Sequence, residues 1–269
     1  MSFISEGIYF ILEVYERRKQ IYDLTKRDFT DRYVGSFLGL IWAFLEPLAM
    51  MLIMWGVFSL GLKVRPSGNV PFVAYLFTGM CAYNFFAESA GASSNVIRAY
   101  SFLVKKVKFR IAILPIVKIL SALLIHFIFL FIVMAVIWIS GVTPSLFWLQ
   151  SIYYLIALLA MLLGLGWLLA ALGVFVRDIA NVIQILLTFG FWLTPIFWNK
   201  EMLPKPYQPY LCLNPMLYIV QGYRDSFIYH VPFWNHPIYM AYYWSVTGLL
   251  LIMGIITFRK LRPHFADVL

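Results

Sequence analysis

The chain has 269 residues, of which 62% are hydrophobic and 12% are charged, and its net charge at pH 7 is +9. Soluble domains have about 45–50% apolar and about 25% charged residues, so this composition excludes a soluble globular protein. A basic chain can bind nucleic acid. Here, however, the Lys and Arg residues lie between apolar segments, which indicates the positive-inside pattern of an integral membrane protein and no nucleic-acid partner.

Residues 1–37 precede the first long apolar run. Apolar side chains recur there every three or four residues, and charged side chains occupy the other face. This spacing predicts an amphipathic helix lying on the cytoplasmic surface of the membrane. The alternative is a solvated helix packed on another protein. The positions on the apolar face are Ile11, Val14, Tyr15, Ile21, Tyr22, Thr25, Phe29 and Tyr33.

Six apolar runs follow, and each has about the 20 residues that a helix needs to cross a bilayer. The runs are continuous, whereas strands of a membrane barrel are short and alternate, so the predicted fold is all-α. We expect one transmembrane domain with a six-span bundle over residues 38–258 and a short cytoplasmic tail over 259–269. The spans are residues 38–60, 72–92, 111–139, 152–176, 179–198 and 239–258.

The distribution of Lys and Arg predicts the orientation of these spans. Residues 1–37 contain six, residues 98–110 contain five with no acidic residue, and the tail contains three. The intervening loops are poorer in basic residues, and residues 141–148 contain none. We therefore expect both termini in the cytoplasm.

The segment before the last span, residues 199–237, is predicted to lie outside. It begins with a proline-rich stretch that prevents regular helix. An apolar stretch follows that is too short to cross and is interrupted by Asn214, Gly222, Arg224 and Asp225. Such a run is typical of a re-entrant or interfacial segment, which we place at about residues 204–229.

Sites for covalent chemistry are missing from this sequence. It contains no G-x-x-x-x-G-K-[ST] motif, so we expect it to bind no nucleotide in the usual way, and no metal-ligand cluster is visible. Ionisable residues within spans are candidates for function. For Glu46 and Glu88 we favour contacts to Lys or Arg near the cytoplasmic ends of their spans. For His126 we favour a satisfied core histidine over a proton relay.

Aromatic side chains form a second candidate feature. Aromatic rings stack on the apolar faces of sugars, whereas Trp and Tyr at span ends usually anchor the protein in the interface. The sequence leaves packing or anchoring and the lining of a pathway equally open for the cluster around residue 192. The candidate pathway residues are Tyr83, Phe86, Phe189, Trp192 and Phe197.

The stretch RDFTDRYVGSFLGLIWAFLEP at residues 27–47 resembles the entry signature of the type-2 ABC exporter membrane subunits that move polysaccharides. FTGMCAYNFFAES at 77–89, LVKKVKFRIAILP at 103–115, VRDIANVIQILLTFGFWLTPIFW at 176–198 and CLNPMLYIVQGYRD at 212–225 are similar to further blocks of that family, in the same order. The matching residues of the interfacial entry motif are Arg27, Asp28, Arg32, Tyr33, Trp42 and Glu46, with Ser36, Leu38, Gly39 and Pro47 beside them.

This resemblance implies a homodimer that binds two separate ATP-binding subunits, with ATP and Mg²⁺ held by those partners and no cofactor in this chain. It further implies membrane lipid as surroundings and a lipid-linked polysaccharide as substrate, exported across a bacterial inner membrane. We lean to an O-antigen type of glycan on the resemblance alone. The basic loop would contact the motor subunit through Arg98, Tyr100, Phe102, Leu103, Lys105 and Lys106.

Three other function classes remain as alternatives. An ABC exporter of drugs or lipids would have the same fold. A membrane-embedded glycosyltransferase or polymerase would need clustered carboxylates in a loop. A secondary transporter would need a relay of charged groups at the membrane midplane.

Overall fold

The computed structural model describes residues 14–32, 37–64, 70–104 and 109–269. Helix is the only regular structure in these ranges, which confirms the predicted all-α class. The helices of ten or more residues are α1 Arg18–Asp31, α2 Trp42–Trp55, α3 Phe72–Ser94, α4 Leu114–Ile139, α5 Gln150–Phe175, α6 Ile179–Leu193, α7 Pro215–Arg224 and α8 Pro237–Leu261. Shorter helical turns extend or connect them at Gly39–Ile41, Gly56–Gly61, Val96–Ala99, Ser101–Val104, Ile111–Ile113, Leu146–Leu149, Lys200–Met202, Lys205–Tyr207, Gln208–Leu211, Asp225–Tyr229, Phe233–Asn235, Arg262–His264 and Phe265–Val268.

Four helical stretches of the described chain are long and apolar enough to cross a membrane. They are Trp42–Gly61, Ile111–Ile139, Leu146–Phe175 and Pro237–Val268. These stretches contain α2, α4, α5 and α8, and they coincide with four of the six predicted spans. The chain is therefore an integral membrane protein. The two remaining predicted spans correspond to α3 and α6. Helix α3 is long enough but less apolar, and α6 is apolar but short.

Helix α3 has 23 residues, and neighbouring helices cover most of its surface. It packs against α4, α5, α6 and α7. Two of its hydroxyl groups are satisfied within the helix, because Thr78 Oγ1 donates to the carbonyl of Ala74 at 2.6 Å and Ser93 Oγ donates to that of Ser89 at 2.7 Å. A helix enclosed by protein does not need an apolar face toward lipid, which explains the lower hydropathy of α3.

Helix α6 has the opposite character, since it has 15 residues and none of them is buried. The predicted span to residue 198 is wrong at its end, because the helix stops at Leu193 and Thr194 is extended with ψ 132°. Thr194 precedes Pro195, and the residue before a proline is biased away from helix. The residues after the helix fold back into the core, and Ile196 and Phe197 are buried.

Interactions between distant residues define two ends of the helix bundle. At one end, here called the α1 end, the Tyr100 hydroxyl donates to Asp28 at 2.8 Å and Arg98 donates to the carbonyl of Val174 at 2.8 Å. At the other, here called the α7 end, Gln150 Nε2 donates to the carbonyl of Val231 at 2.9 Å. Successive long helices connect these two ends in alternation.

Helix α7 enters the bundle from the α7 end. The side chain of Asn214 caps its first turn by accepting from the Met216 amide at 3.0 Å. Near the other end of α7, the Tyr223 hydroxyl lies 3.0 Å from Nε2 of His126, close to the middle of α4. His230 then takes a left-handed conformation with φ 54°, and the chain returns to the α7 end at Val231.

The most extensive helix pair is α5 with α8, which cross at two glycines. A Cβ on Gly254 would lie 2.1 Å from the carbonyl oxygen of Gly164, and a Cβ on Gly164 would lie 2.6 Å from the amide nitrogen of Leu251. The two backbones therefore touch, as small residues allow in membrane helices. Tyr243 adds a hydrogen bond across the pair, since its hydroxyl donates to the carbonyl of Ala157 at 2.9 Å.

Candidate functional site

A buried carboxylate joins three elements at the α1 end. Asp28 of α1 is 4% exposed, and its Oδ1 accepts from Nζ of Lys118 on α4 at 2.5 Å and from the Tyr100 hydroxyl at 2.8 Å. Thr25 and Ile21, one and two turns earlier, are also buried, so one face of α1 packs on α4. The predicted amphipathic helix is therefore present, and its apolar face contacts this same chain. Tyr15 and Tyr22, assigned to that face, are instead exposed.

The residues around Asp28 keep its carboxyl group ionised. Burial is the largest single influence on the Asp28 pKa and would raise it. The hydrogen bond and charge of Lys118, together with the hydrogen bond from Tyr100, outweigh burial, so this pKa lies below its ordinary value. Burial and the Asp28 carboxylate both raise the pKa of the Tyr100 hydroxyl, which therefore stays protonated and donates.

A second ion pair extends this cluster to α3. Arg32 Nη1 binds Oε1 of Glu88, and its Nη2 lies 3.6 Å from Oδ2 of Asp28. The predicted contact of Glu88 with a basic residue is confirmed. Asp28, Arg32 and Glu88 form an ion network that, with Lys118, ties α1 to both α3 and α4.

The other entry-motif residues that the structure describes lie outside this network. Arg27 pairs with Asp31 at 3.3 Å on the exposed side of α1. Trp42 and Glu46 are exposed on α2. Tyr33 lies outside the described residues. So do Lys105 and Lys106 of the basic loop at residues 98–110, which was predicted to contact the motor subunit and is here called the coupling loop.

The described part of the coupling loop combines anchored and exposed residues. Arg98 and Tyr100 are tied to Val174 and Asp28, as above. Leu103 is half-buried and packs against a hydrophobic cluster at the α1 end. Phe102 is 54% exposed. The loop is thus fixed to the bundle at three positions and presents one large aromatic side chain.

The predicted pathway residues separate into two groups. Tyr83, on α3, is buried, and its hydroxyl donates to the carbonyl of Leu187 at 2.6 Å. Phe86 is half-buried with its ring centroid 5.8 Å from that of Tyr83. Phe197 is buried and its ring lies 4.5 Å from that of Phe58. Phe197 lies beyond the end of α6, so it is not on the helix that carries Phe189 and Trp192.

Phe189 and Trp192 are exposed, at 62% and 51%, and share one face of α6 as their spacing predicts. Val182, Ile185 and Leu186 on the same helix are exposed as well. The described residues of one chain leave this apolar face of α6 uncovered. It is open to lipid, to a second subunit or to a transported molecule.

His126 makes the contacts of a satisfied core histidine. It is buried, with Nδ1 3.7 Å from Sγ of Cys81 and Nε2 3.0 Å from the Tyr223 hydroxyl. Its ring stacks on Phe85 with centroids 4.7 Å apart. In the described residues, no group of three or more His, Cys, Asp or Glu could hold a metal ion.

The sequence analysis missed the role of Arg224. This arginine is 1% exposed and donates to three backbone carbonyls, those of Tyr75 at 3.3 Å, Pro195 at 2.8 Å and Ile196 at 2.7 Å. Its guanidinium carbon also lies 3.5 Å from the centre of the Tyr75 ring. The signal in the sequence was a lone arginine inside a short apolar run, where a charge is costly unless it is fully bonded.

The family model for ABC-2 type transporters matches residues 19–228. This chain belongs to the ABC-2 type transporter family. The matched region begins within α1 and ends in the turn after α7, so the ion network at the α1 end and helix α7 both lie inside the family domain of this transporter.

Named relatives match from about three quarters to nearly all of the ABC-2 chain. The O-antigen export system permease protein RfbA of Myxococcus xanthus is 29% identical over 263 residues, which are 96% of this chain and 98% of the relative. RfbA of Klebsiella pneumoniae is 26% identical over 249 residues, 91% and 93% of the two chains. The polysialic acid transport protein KpsM of Escherichia coli is 25% identical over 201 residues, 74% and 78% of the two chains.

Proposed function

We propose that this chain is the membrane-spanning subunit of an ATP-driven exporter that moves a lipid-linked polysaccharide, of the O-antigen type, across a bacterial inner membrane. The observation that carries the proposal is the end-to-end similarity to the Myxococcus xanthus O-antigen permease. The similarity to KpsM, named for polysialic acid transport, extends the same substrate class to a second relative.

Six membrane crossings fit the way the helices connect the two ends of the bundle. Helices α2, α4, α5 and α8 lie within stretches long and apolar enough to span. We infer that α3 spans while enclosed by protein. We infer that α6 itself spans along the edge of the bundle. Helix α7 and the turn that returns the chain at Val231 then form a re-entrant segment from outside, and both termini are cytoplasmic.

The α1 end is, in this proposal, the side where ATP is used. Here the ion network holds α1 against the bundle, and Phe102 is presented for contact. Two ATP-binding subunits would dock at this end of a homodimer, because the sequence contains no phosphate-binding loop of its own. The uncovered apolar face of α6 would be covered by the second subunit or face the transported glycan.

Deletion and complementation test the proposed function. Cells that lack this chain should lose their surface polysaccharide and accumulate it on the lipid carrier inside, and the restored gene should reverse both. ATP hydrolysis should require a co-purified partner subunit. Normal surface glycan in the deletion strain, together with retention of a drug or free lipid, would contradict polysaccharide export and favour the drug or lipid exporter.

Cysteine labelling tests the orientation separately. In a background without Cys81 and Cys212, an impermeant thiol reagent added outside intact cells should label Gln208→Cys but not Val107→Cys. In inverted membrane vesicles the result should reverse. Labelling of Val107→Cys in intact cells would place the α1 end outside and overturn the proposed side of ATP use.

A further inference from the structure

A cavity of about 240 Å³ lies at the α7 end, between α7, the start of α8 and the segment after α6. It is lined by residues from α3, α5, α7 and α8 and by residues 195–215 of the connecting segment. Phe189 and Trp192 are not among its lining residues. The cavity is therefore separate from the exposed aromatic face of α6.

The floor of this cavity is rigid. Arg224 lines it, and three carbonyl bonds and the Tyr75 ring hold the guanidinium in place. The ring of Tyr218 contacts that of Tyr154 edge to face and that of Tyr243 at a tilt, with centroids 5.3 and 5.0 Å away. Fixed side chains at the floor mean that a ligand would meet a preformed surface.

Two carboxylates face the cavity from different depths. Asp225 is 3% exposed at the floor, where its Oδ1 accepts from Gln221 Nε2 at 2.8 Å and its Oδ2 lies 3.5 Å from His236 Nε2. Glu201 is exposed at the rim beside Lys200. A carboxylate accepts hydrogen bonds from neutral hydroxyl groups, and amides such as Gln221 both donate and accept.

The remaining lining is dominated by tyrosines and amides. Tyrosine rings contribute apolar surface with a polar edge, so they contact the C–H face of a ring while leaving its hydroxyls to the amides and carboxylates. The tyrosines of the lining are Tyr75, Tyr154, Tyr218, Tyr229, Tyr239 and Tyr242.

The charges at this cavity favour no anionic ligand, because Glu201 and Asp225 balance Lys200 and Arg224. The Arg224 guanidinium is 1% exposed and already donates to three backbone carbonyls, so it offers little to a phosphate or pyrophosphate. Lys200 is the remaining lysine or arginine of the lining, and it lies next to Glu201. The volume is also below the roughly 300–1,000 Å³ typical of sites for drug-sized ligands, so it suits one ring better than a chain.

We propose that this cavity is a binding site for a single neutral pyranose ring. The proposal rests on the proposed function, which brings a polysaccharide to this end of the protein. Tyr239 and the other tyrosines supply the stacking surface, and Asp225, Glu201 and Gln221 supply the partners for ring hydroxyls. The site would hold one sugar ring, at the end of the polysaccharide or leaving the protein at the α7 end. It is separate from the exposed aromatic face of α6.

Ligand-detected NMR on the purified full complex tests this site, with methyl glucoside, methyl mannoside and methyl galactoside as probes at millimolar concentration. At least one probe should show saturation transfer from the protein, which indicates that it binds. Tyr239→Ala and Glu201→Gln should each weaken its binding about 3- to 10-fold, as loss of one contact predicts. Tyr210→Ala is the matched control, since Tyr210 is 70% exposed in the same segment and does not line the cavity.

The outcomes separate this site from the proposed function. If the deletion strain loses surface glycan but Tyr239→Ala and Glu201→Gln bind the probes like the unaltered protein, the site is wrong and the export function stands. Binding of pyrophosphate, with no binding of any of the three methyl glycosides, would also overturn the site. If the deletion strain keeps its glycan, the export function itself fails.

Discussion

Asp28 on α1 and Lys118 on α4 form an ion pair with 2.5 Å between Oδ1 and Nζ, at 4% and 15% exposure of the two side chains. The Tyr100 hydroxyl shares the same carboxylate oxygen. This arrangement fixes α1 and the coupling loop to one point of the bundle. A force applied by a motor subunit to either of them would therefore be transmitted to α4.

We expect Asp28→Asn to destabilise the protein, because it leaves the ammonium group of Lys118 without its counter-charge in a largely buried position. Breaking a buried pair costs about 3–5 kcal/mol, and the retained amide and the partial exposure of Lys118 reduce our expectation to about 2 kcal/mol. Thermal unfolding in detergent measures this. The control is Arg27→Gln, which breaks an exposed pair on the same helix, at 69% and 62% exposure, and should change stability by less than about 1 kcal/mol. Equal effects of the two variants would contradict the proposed anchor.

The pH dependence of stability follows from the lowered pKa of Asp28. A carboxyl whose pKa is lower in the folded state stabilises that state above its unfolded value of 3.8 and loses this contribution as pH falls through the folded value. The difference in unfolding midpoint between the unaltered protein and Asp28→Asn should therefore be constant from about pH 8 to about pH 5 and shrink below about pH 4. A difference that already disappears between about pH 7 and pH 6 would contradict the lowered pKa.

The glycine crossing of α5 and α8 gives a third prediction. Gly254→Ala should destabilise by about 1–3 kcal/mol, because its Cβ would lie 2.1 Å from a backbone oxygen that cannot move aside without shifting α5. Gly248→Ala on the same helix is the control, since nothing lies within 4 Å of its Cβ position. That variant should be neutral or slightly stabilising, as alanine is the better helix former. Thermal unfolding of the two variants side by side decides between a true contact and a general helix effect.

The helices were largely predictable because hydrocarbon imposes a simple rule of length and apolarity. The predicted span at residues 111–139 has the same bounds as the helical stretch Ile111–Ile139, and the one at 152–176 differs from α5 by two residues at its start and one at its end. The end of α6 was missed because residues 194–198 are as apolar as the helix before them. The local preference of Thr194 before Pro195 ends the helix there, and hydropathy alone does not register it.

The ion network and the cavity were less predictable, because their partners are far apart in sequence. Asp28 was identified by resemblance, but Lys118 follows it by 90 positions and belongs to a span. Arg224 was noticed as an interruption, yet the carbonyls it binds belong to α3 and to the turn after α6. Periodicity describes one helix at a time and cannot place two such elements side by side.

The coupling loop provides a fourth prediction. Phe102→Ala should leave insertion and stability nearly unchanged, because the side chain is already 54% exposed. It should reduce co-purification of the ATP-binding subunit and export, since large apolar side chains contribute most of the energy of an interface. Phe131→Ala, at a site on α4 that is 68% exposed, is the control and should reduce neither. Leu103 is less useful for this test because it packs on the bundle. Normal co-purification of the ATP-binding subunit with Phe102→Ala would mean that the loop acts through its positive charge alone.

Trp192 and Phe197 together test whether the exposed face of α6 lines the export pathway. Their rings are 5.0 Å apart, but Trp192 is 51% exposed and Phe197 is 5% exposed. Phe197→Ala removes a buried ring and should destabilise by about 3–5 kcal/mol. Trp192→Ala loses mainly the ring contact, which is worth about 0.5–1.5 kcal/mol, and should therefore fold nearly normally. If its ring contacts the glycan, Trp192→Ala should lower export while dimer assembly and protein amount stay unchanged.

Export and thermal stability of Trp192→Ala and Phe197→Ala are measured on the same preparations. A Trp192→Ala protein that exports at the normal rate per folded molecule would exclude this residue from the pathway, and one that fails to dimerise would assign the face to the subunit interface.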